Sequence, residues 1–222
     1  MRIGGFQRQS LIEFPGMISA VIFTVGCNLR CPFCHNFRLI EPGEVEEIPE
    51  EIVLDHLCRN RRLLDAVVVS GGEPTIQPDL KGFLQEVKSM GYAIKLETNG
   101  TEPDVLGDLI ESELLDLVAM DVKAPPRFDR YNEVVGGILT PELFERMLES
   151  ISILRESGIE HEFRTTLVPG LISQSDIEEI RRFLEGERHI TQEYQSVGRR
   201  ASGVMRSTHH AIRTTQNEEV ER

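Results

Sequence analysis

The run Ile18-Ser19-Ala20-Val21-Ile22-Phe23-Thr24-Val25-Gly26-Cys27-Asn28-Leu29-Arg30-Cys31-Pro32-Phe33-Cys34-His35-Asn36 decides the fold. Its first eight residues are apolar on both faces for much of their length, as expected of a parallel strand buried under helices. They end at Gly26 and a loop that carries cysteines at C-x3-C-x2-C spacing. Three thiolates on one tight loop suit a metal or an iron–sulfur cluster better than a disulfide. A closed structural zinc site takes four protein ligands, whereas a cubane held by three thiolates leaves one iron open to another ligand. A Cys3His zinc set that uses His35 is the alternative. It is disfavoured because His35 directly follows Cys34, and the backbone would have to contort for both to face one ion.

Outward from that run the same phrase repeats. Asp65 to Ser70 is a β-branched run that closes on Gly71-Gly72-Glu73-Pro74, followed by a helix with Leu80, Phe83, Leu84 and Val87 at i, i+3, i+4, i+7 and Gly91 as its stop. Tyr92 to Leu96 reads as a strand closing on Glu97-Thr98-Asn99-Gly100, then a helix over Pro103 to Ile110. Leu115 to Met120 is a strand closing on Asp121-Val122-Lys123-Ala124-Pro125-Pro126. A long helix starts with Thr140 as N-cap and Pro141 at N1, with Phe144, Met147, Ile151 and Leu154 on one stripe. Ile159 to Leu167 is a fifth strand closing on Val168-Pro169-Gly170. The last clear helix has a capping box in Ser175 to Glu178 and Gly186 as its stop. Before the first strand, residues 1–17 read as an extended segment, and a helix starts near Pro49 with Ile52, Val53, Leu54 and Leu57 for its core side.

Strand–helix units in series imply an α/β fold with a parallel sheet and right-handed crossovers. A partial, open (βα)5-6 barrel is the expected architecture. Each of the five unusual loops follows a strand and precedes a helix, so all five belong on the C-terminal rim, where barrels build their sites.

The chain has 222 residues and a formal net charge of −13. That acidity argues against nucleic-acid binding, which draws on clustered Lys and Arg. The start lacks the pattern of a signal peptide, and the longest apolar run is too short to span a bilayer. The expectation is a cytoplasmic protein without membrane contact, in whose compartment thiols stay reduced. Cys58 sits in a helical pattern and reads as buried filler. From Glu187 onward the text holds six Arg and five Glu, without Lys, Asp or an apolar period. Residues 1–186 are therefore read as the core domain and 187–222 as an atypical, weakly ordered tail, in which His189 to Tyr194 is readable as a sixth strand. The pair His209-His210 reads as solvated tail.

On the rim, Gly71-Gly72 lets backbone approach a ligand closely and offers carbonyls fit for an ammonium group. Lys123 and Arg164, cations at strand ends of an acidic protein, are fit to hold a carboxylate or a ribose oxygen. The bland alternative for each is a strand-end salt bridge.

Taken together, CNLRCPFCHN, SGGEPT, ETNG, MDVKAP and FRTTLVPG resemble the radical S-adenosylmethionine superfamily, over roughly residues 3 to 180. Phe14-Pro15-Gly16 and His35-Asn36 add a likeness to its glycyl-radical-enzyme activases, in particular the activating proteins of anaerobic ribonucleoside-triphosphate reductase. The resemblance implies that Cys27, Cys31 and Cys34 ligate a [4Fe–4S] cluster whose open iron is chelated by S-adenosylmethionine. It places Phe33 against the adenine, with Val168 on the adenine side. The Gly71-Gly72-Glu73 backbone would take the methionine ammonium, with Asp121 helping to orient it or, equally fitting for its strand-end position, pairing Lys123. Asn99 and Lys123 fall near the ribose and carboxylate, and Arg164 pairs with the carboxylate. One electron from the cluster would then cleave the sulfonium, giving methionine and a 5′-deoxyadenosyl radical that removes a hydrogen atom. For an activase that hydrogen comes from a glycine of a partner enzyme, and the electron from a low-potential donor such as flavodoxin or ferredoxin. The alternatives are a small-molecule radical enzyme with the same cofactor residues and a non-catalytic zinc scaffold. The family pattern also holds a further strand and a glutamine-aromatic-proline segment, where this sequence has HITQEYQ.

Overall fold

The computed structural model describes residues 1–195. One sheet of seven strands runs in sequence order. Its first strand, β1 (Ile3–Ser10), is antiparallel to β2 (Ser19–Thr24), and β3 (Ala66–Gly71), β4 (Ala93–Thr98), β5 (Leu117–Asp121), β6 (His161–Leu167) and β7 (His189–Glu193) follow in parallel. Helices α1 (Glu50–Arg59), α2 (Leu80–Ser89) and α3 (Pro103–Glu111) occupy the first three parallel crossovers. The next crossover holds α4 (Phe128–Val134) and α5 (Pro141–Ser157), and α6 (Gln174–Phe183) leads into β7. Among the described residues the sheet runs from β1 to β7 without closing, so the barrel is partial and open on one side, as the sequence leads one to expect.

Period-two alternation divides each strand between two environments. Ile22, Val69, Leu96, Met120 and Phe163 face the helices in the larger core, against Leu57, Phe83, Leu109, Ile151 and Ile180. Their neighbours in the chain face the barrel interior. There Val21, Ala66, Val68 and Leu117 pack under Phe14, and the same alternation carries Ser70, Glu97, Asp121 and Arg164 to the inner side at the C-terminal strand ends. The interior is thus apolar at its floor and charged at its mouth.

The helix reading from sequence holds for α5. The hydroxyl of Thr140 accepts from Leu143 N at 3.2 Å, Pro141 takes the first turn, and Phe144, Met147, Ile151 and Leu154 are all buried. Each such burial is worth about 1.5–3 kcal/mol against exposure.

Several expectations are corrected. The extended N-terminal segment is a full edge strand, β1, followed by a loop that sends Phe14 under the barrel. Pro49 is the N-cap of α1 rather than its first residue, and Ile52 is exposed while Val53 and Leu57 are buried. Cys58 is exposed, not core filler. The capping box of α6 is Ser173 with Asp176, two residues earlier than the Ser175–Glu178 pattern: Asp176 N donates to Ser173 Oγ at 3.1 Å, and Ser173 N to Asp176 Oδ2 at 2.9 Å. Strand β7 pairs with β6 from Phe163↔His189 to Leu167↔Glu193, so the sheet continues past Gly186 and HITQE supplies the sixth parallel strand. The weak order and the His209-His210 pair expected of the far tail lie outside the described residues. Among those described, no helix is long and apolar enough to cross a membrane.

Candidate functional site

A cavity of about 770 Å³ opens at the mouth of the barrel and runs down its unclosed side. Cys27, Cys31, Cys34 and Phe33 line it, together with Gly71, Gly72, Glu73, Asn99, Asp121, Lys123 and Arg164, so residues from four rim loops and the middle of β6 meet there. Val168 does not line it. Val168 is buried, and its carbonyl accepts from Leu171 N and Ile172 N, so it closes a turn instead; Thr166, two residues earlier and on β6, faces the cavity.

The cysteine loop is anchored at both ends. Gly26 N donates to Leu39 O at 2.7 Å and Cys27 N to Ile40 O at 3.2 Å, while Asn36 Nδ2 donates to Gly71 O at 3.2 Å. Between these anchors the three thiols are half-buried. Burial pushes the Cys27 thiol up to about 11, with Glu73 nearby adding to the shift, and burial also raises Cys31 and Cys34. Metal ligation would displace those protons. Among the described residues no three His, Cys, Asp or Glu side chains converge tightly enough to hold a single ion. The thiols instead border a shared space, with His35 exposed beside them. That donor set fits a cluster with ligands at separate corners better than a zinc ion.

The loop after β3 lies on the cysteine loop backbone to backbone. Glu73 N donates to Gly26 O at 2.8 Å, and a Cβ at Gly72 would stand 2.0 Å from the same oxygen. Only glycine permits that approach. The Glu73 side chain turns inward, away from the cavity's solvent. It accepts from Thr75 N and Thr75 Oγ1, from Thr98 Oγ1 at 2.7 Å and from Asn99 N at 2.7 Å. Burial raises its pKa, and these four donors oppose the rise. Asn99, which the resemblance sets near the ribose, spends its carboxamide on the loops: Nδ2 donates to Asn28 Oδ1 at 2.9 Å, and Oδ1 accepts from Thr101.

The cations are paired within the chain. Arg164 Nη1 donates to Glu97 at 2.5 Å and its Nε to Asp121 at 3.2 Å, and Lys123 Nζ meets Asp121 at 2.9 Å. Burial works against all four charges, yet the pairing outweighs it: Glu97 and Asp121 are held below the usual carboxylate range, and Lys123 and Arg164 stay above their ordinary values. Deeper in the barrel, Lys95 extends the network to Glu162 at 3.3 Å and Glu97 at 3.4 Å. Tyr131 of α4 holds the chain beside Lys123 by accepting its backbone N–H at 3.0 Å. Glu97, Ser70 and Lys95 escaped the sequence reading; their signal is inward parity, since β3 and β4 place charged or hydroxyl residues at every second position near their ends.

An open barrel whose rim gathers three thiols on the loop after the first parallel strand, beside a ring of paired charges, is the architecture of an iron–sulfur enzyme that works at its mouth. The chain belongs to the radical SAM superfamily, whose model matches residues 21–184, and whose cofactors are a [4Fe–4S] cluster and S-adenosylmethionine. It is 39% identical over 187 residues to a Methanocaldococcus jannaschii protein provisionally named a glycyl-radical enzyme activating enzyme, covering 80% of this chain and 73% of that one. With the pyruvate formate-lyase 1-activating enzyme of Escherichia coli K12 it shares 27% over 183 residues, 79% of this chain and 71% of that protein. The crystal structure of Streptococcus suis SuiB bound to S-adenosylmethionine has the same fold, with a TM-score of 0.64 at 19% identity over 81% of this chain and 41% of that one.

Proposed function

We propose that this protein installs a glycyl radical on a partner enzyme, and that the partner is an anaerobic ribonucleoside-triphosphate reductase. The observation that carries the reading is that, among the described residues, the barrel is open between β1 and β7, which would give a protein loop a lateral way to the rim cysteines. The likeness to activating enzymes supports it.

Cys27, Cys31 and Cys34 would hold the [4Fe–4S] cluster, and the rim would hold S-adenosylmethionine. When bound, the pair supplies a reducing electron and a carbon radical able to take a hydrogen atom. The chain's own part is to bind, orient and shield. Backbone at Gly71-Gly72 offers close approach to a ligand ammonium, and Phe33 offers an apolar face for a base. Lys123 and Arg164 present fixed positive charge to a carboxylate while remaining neutralised by Asp121 and Glu97. Because those cations are already paired, a bound carboxylate would share them rather than find them free, so the binding energy rests on several partners. The floor of the barrel is packed with Phe14, Val21 and Leu117, an apolar surface beneath the charged mouth. The protein acts in the cytoplasm with flavodoxin or ferredoxin as donor.

The test is anaerobic reconstitution with iron and sulfide, then incubation with S-adenosylmethionine, a reductant and reductase whose glycines carry deuterium. Deuterium in 5′-deoxyadenosine is expected with the labelled reductase, and a glycyl doublet in the paramagnetic resonance spectrum with unlabelled reductase, a splitting that the label collapses. Cofactor cleavage with no glycyl signal from any candidate partner would favour a small-molecule substrate, and a colourless protein that binds zinc alone would overturn the radical reading.

A further inference from the structure

The cysteine loop touches a part of the chain that the motifs do not include. The segment that ends α4, Val135-Gly136-Gly137, lies against Arg30, the residue before Cys31. Arg30 N donates to Val135 O at 3.1 Å. Gly136 has φ +98, and a Cβ built there would stand 2.3 Å from Arg30 O, 2.9 Å from its carbonyl carbon and 3.1 Å from its Cβ. Two peptide units are thus stacked as closely as a missing side chain allows. Backbone cannot swing aside as a flexible side chain can, so any residue larger than glycine at 136 has to displace Arg30, and with it Cys31.

Both sides of this contact are rigid. On the loop side Leu29 is buried in the core, and the Arg30 guanidinium folds back to donate to Cys27 O at 2.7 Å and Leu29 O at 3.0 Å. On the other side Val134 and Val135 are fully buried, Gly137 N donates to Asn132 O at 2.8 Å, and Leu139 N donates to Asn132 Oδ1 at 2.8 Å. The same helix holds Lys123 N through Tyr131 Oη. One short helix therefore spans from the fourth rim loop to the middle cysteine.

The geometry points to Gly136 as a positioning residue for the cluster: its bare backbone sets where the Arg30–Cys31 peptide sits, and so where the Cys31 thiol meets the iron. This inference rests on the reading of Cys27, Cys31 and Cys34 as cluster ligands.

Gly137 supplies the control. It too is left-handed, at φ +76, but a Cβ there meets nothing within 4 Å. Gly136→Ala and Gly137→Ala therefore share the backbone strain and differ in the contact. Full-length wild type and both variants are reconstituted anaerobically under identical conditions. Iron per chain, visible absorption and the paramagnetic resonance spectrum of the reduced cluster with and without S-adenosylmethionine are then compared, alongside the melting of the iron-free chains. Gly136→Ala is expected to retain less than half the wild-type iron, or to hold it with shifted g values, while Gly137→Ala matches wild type even where both melt earlier. Equal iron and an unchanged spectrum in Gly136→Ala would overturn the inference. Should Gly136→Ala not fold, Asn132→Ala loosens the same helix end without adding atoms. It is expected to lose iron to a chelator several-fold faster than wild type, and an unchanged rate would overturn the inference equally. Wild type that takes up no iron would sink the functional reading itself, a different result from a wild type that loads beside an unaffected variant.

Discussion

Replacement of Arg164 by methionine tests the charge arrangement at the barrel mouth most directly. The guanidinium lies between Glu97 and Asp121, at 2.5 and 3.2 Å, and only 11% of its side chain is exposed, against 13% for Glu97. The inner network holds Lys95, Lys123 and Arg164 against Glu97, Asp121 and Glu162, with Arg188 3.5 Å from Glu162, so loss of Arg164 takes from Glu97 its shortest cationic partner. Breaking a buried pair by removal of one partner costs about 3–5 kcal/mol. Lys95 still stands 3.4 Å from Glu97 and Lys123 2.9 Å from Asp121, so the low end applies, about 3 kcal/mol. For a chain of this length that is roughly 6–12 °C in the melting temperature.

The pH dependence fixes the cause. Burial raises the Glu97 pKa, but Arg164 and then Lys95 more than reverse it, so the folded value is lowered. A lowered carboxyl pKa adds stability above its unfolded value of about 4.3, and that stability is lost as the pH falls through the folded value. Without Arg164 the burial effect is less opposed and the Glu97 pKa rises. The gap between wild type and Arg164→Met, measured by urea unfolding of the iron-free chain under reducing conditions, is therefore widest near neutrality and narrows below about pH 4. Adding Glu97→Gln removes the stranded charge, and the double variant should be more stable than the two single losses sum to by about 1 kcal/mol or more. A loss below about 1 kcal/mol at neutral pH, or a gap that acid leaves unchanged, would refute the electrostatic account.

Three further outcomes follow from the same structure. Gly72→Ala puts a Cβ 2.0 Å from Gly26 O, a backbone atom with nowhere to go, and should cost about 2 kcal/mol or more in urea unfolding while lowering iron uptake, since Gly26 precedes Cys27. Cys31→Ala should abolish cluster binding, whereas Cys58→Ala, at an exposed site, should keep full iron content and shift stability by no more than about 0.5 kcal/mol. Asp176 is lowered to about 2, first by its hydrogen bond from Arg130, so Asp176→Asn should cost about 2 kcal/mol at neutral pH. That difference should shrink between about pH 4 and 2 as the wild-type carboxylate takes its proton, and acid titrations of the two unfolding curves would show it.

The strand-and-helix order was readable because each parallel strand is a β-branched run stopped by a loop of Gly, Pro, Asn or Asp, and each helix carries an apolar stripe. Where a residue faces was less readable. Cys58 follows Leu57 in α1, and a step of one residue turns it away from the buried Val53–Leu57 side, out to solvent. Val168 lies one residue beyond β6, where strand parity no longer says what it faces, and its backbone instead closes a turn. The cysteines and glycines of the rim showed themselves through spacing. Glu97 did not, because its task depends on a guanidinium 67 positions later in the chain, and no local pattern announces such a partner. No sequence pattern marks Gly136, since its contact with Arg30 is made by backbone.

The two kinds of rim residue divide the labour between them. Glu97, Asp121, Lys123 and Arg164 present their charges to the cavity, whereas Glu73, buried in its wall, spends its carboxylate on four donors from two loops. A buried carboxylate without a cation is costly, and its raised pKa records that cost. The cost is offset because no amide or hydroxyl side chain could accept from both ends of the Thr98-Asn99 turn and from Thr75 at once. Asn99, held in place by Glu73, reaches Asn28 inside the cysteine loop. The loops after β2, β3 and β4 are thereby one unit before any ligand arrives, and a change at Glu73 acts on Cys27 through Asn99 and Asn28 without touching it. Glu73→Gln should therefore weaken iron retention more than its distance from the thiols suggests, because the carboxamide turns a donor toward one of the N–H or O–H groups that the carboxylate accepts from.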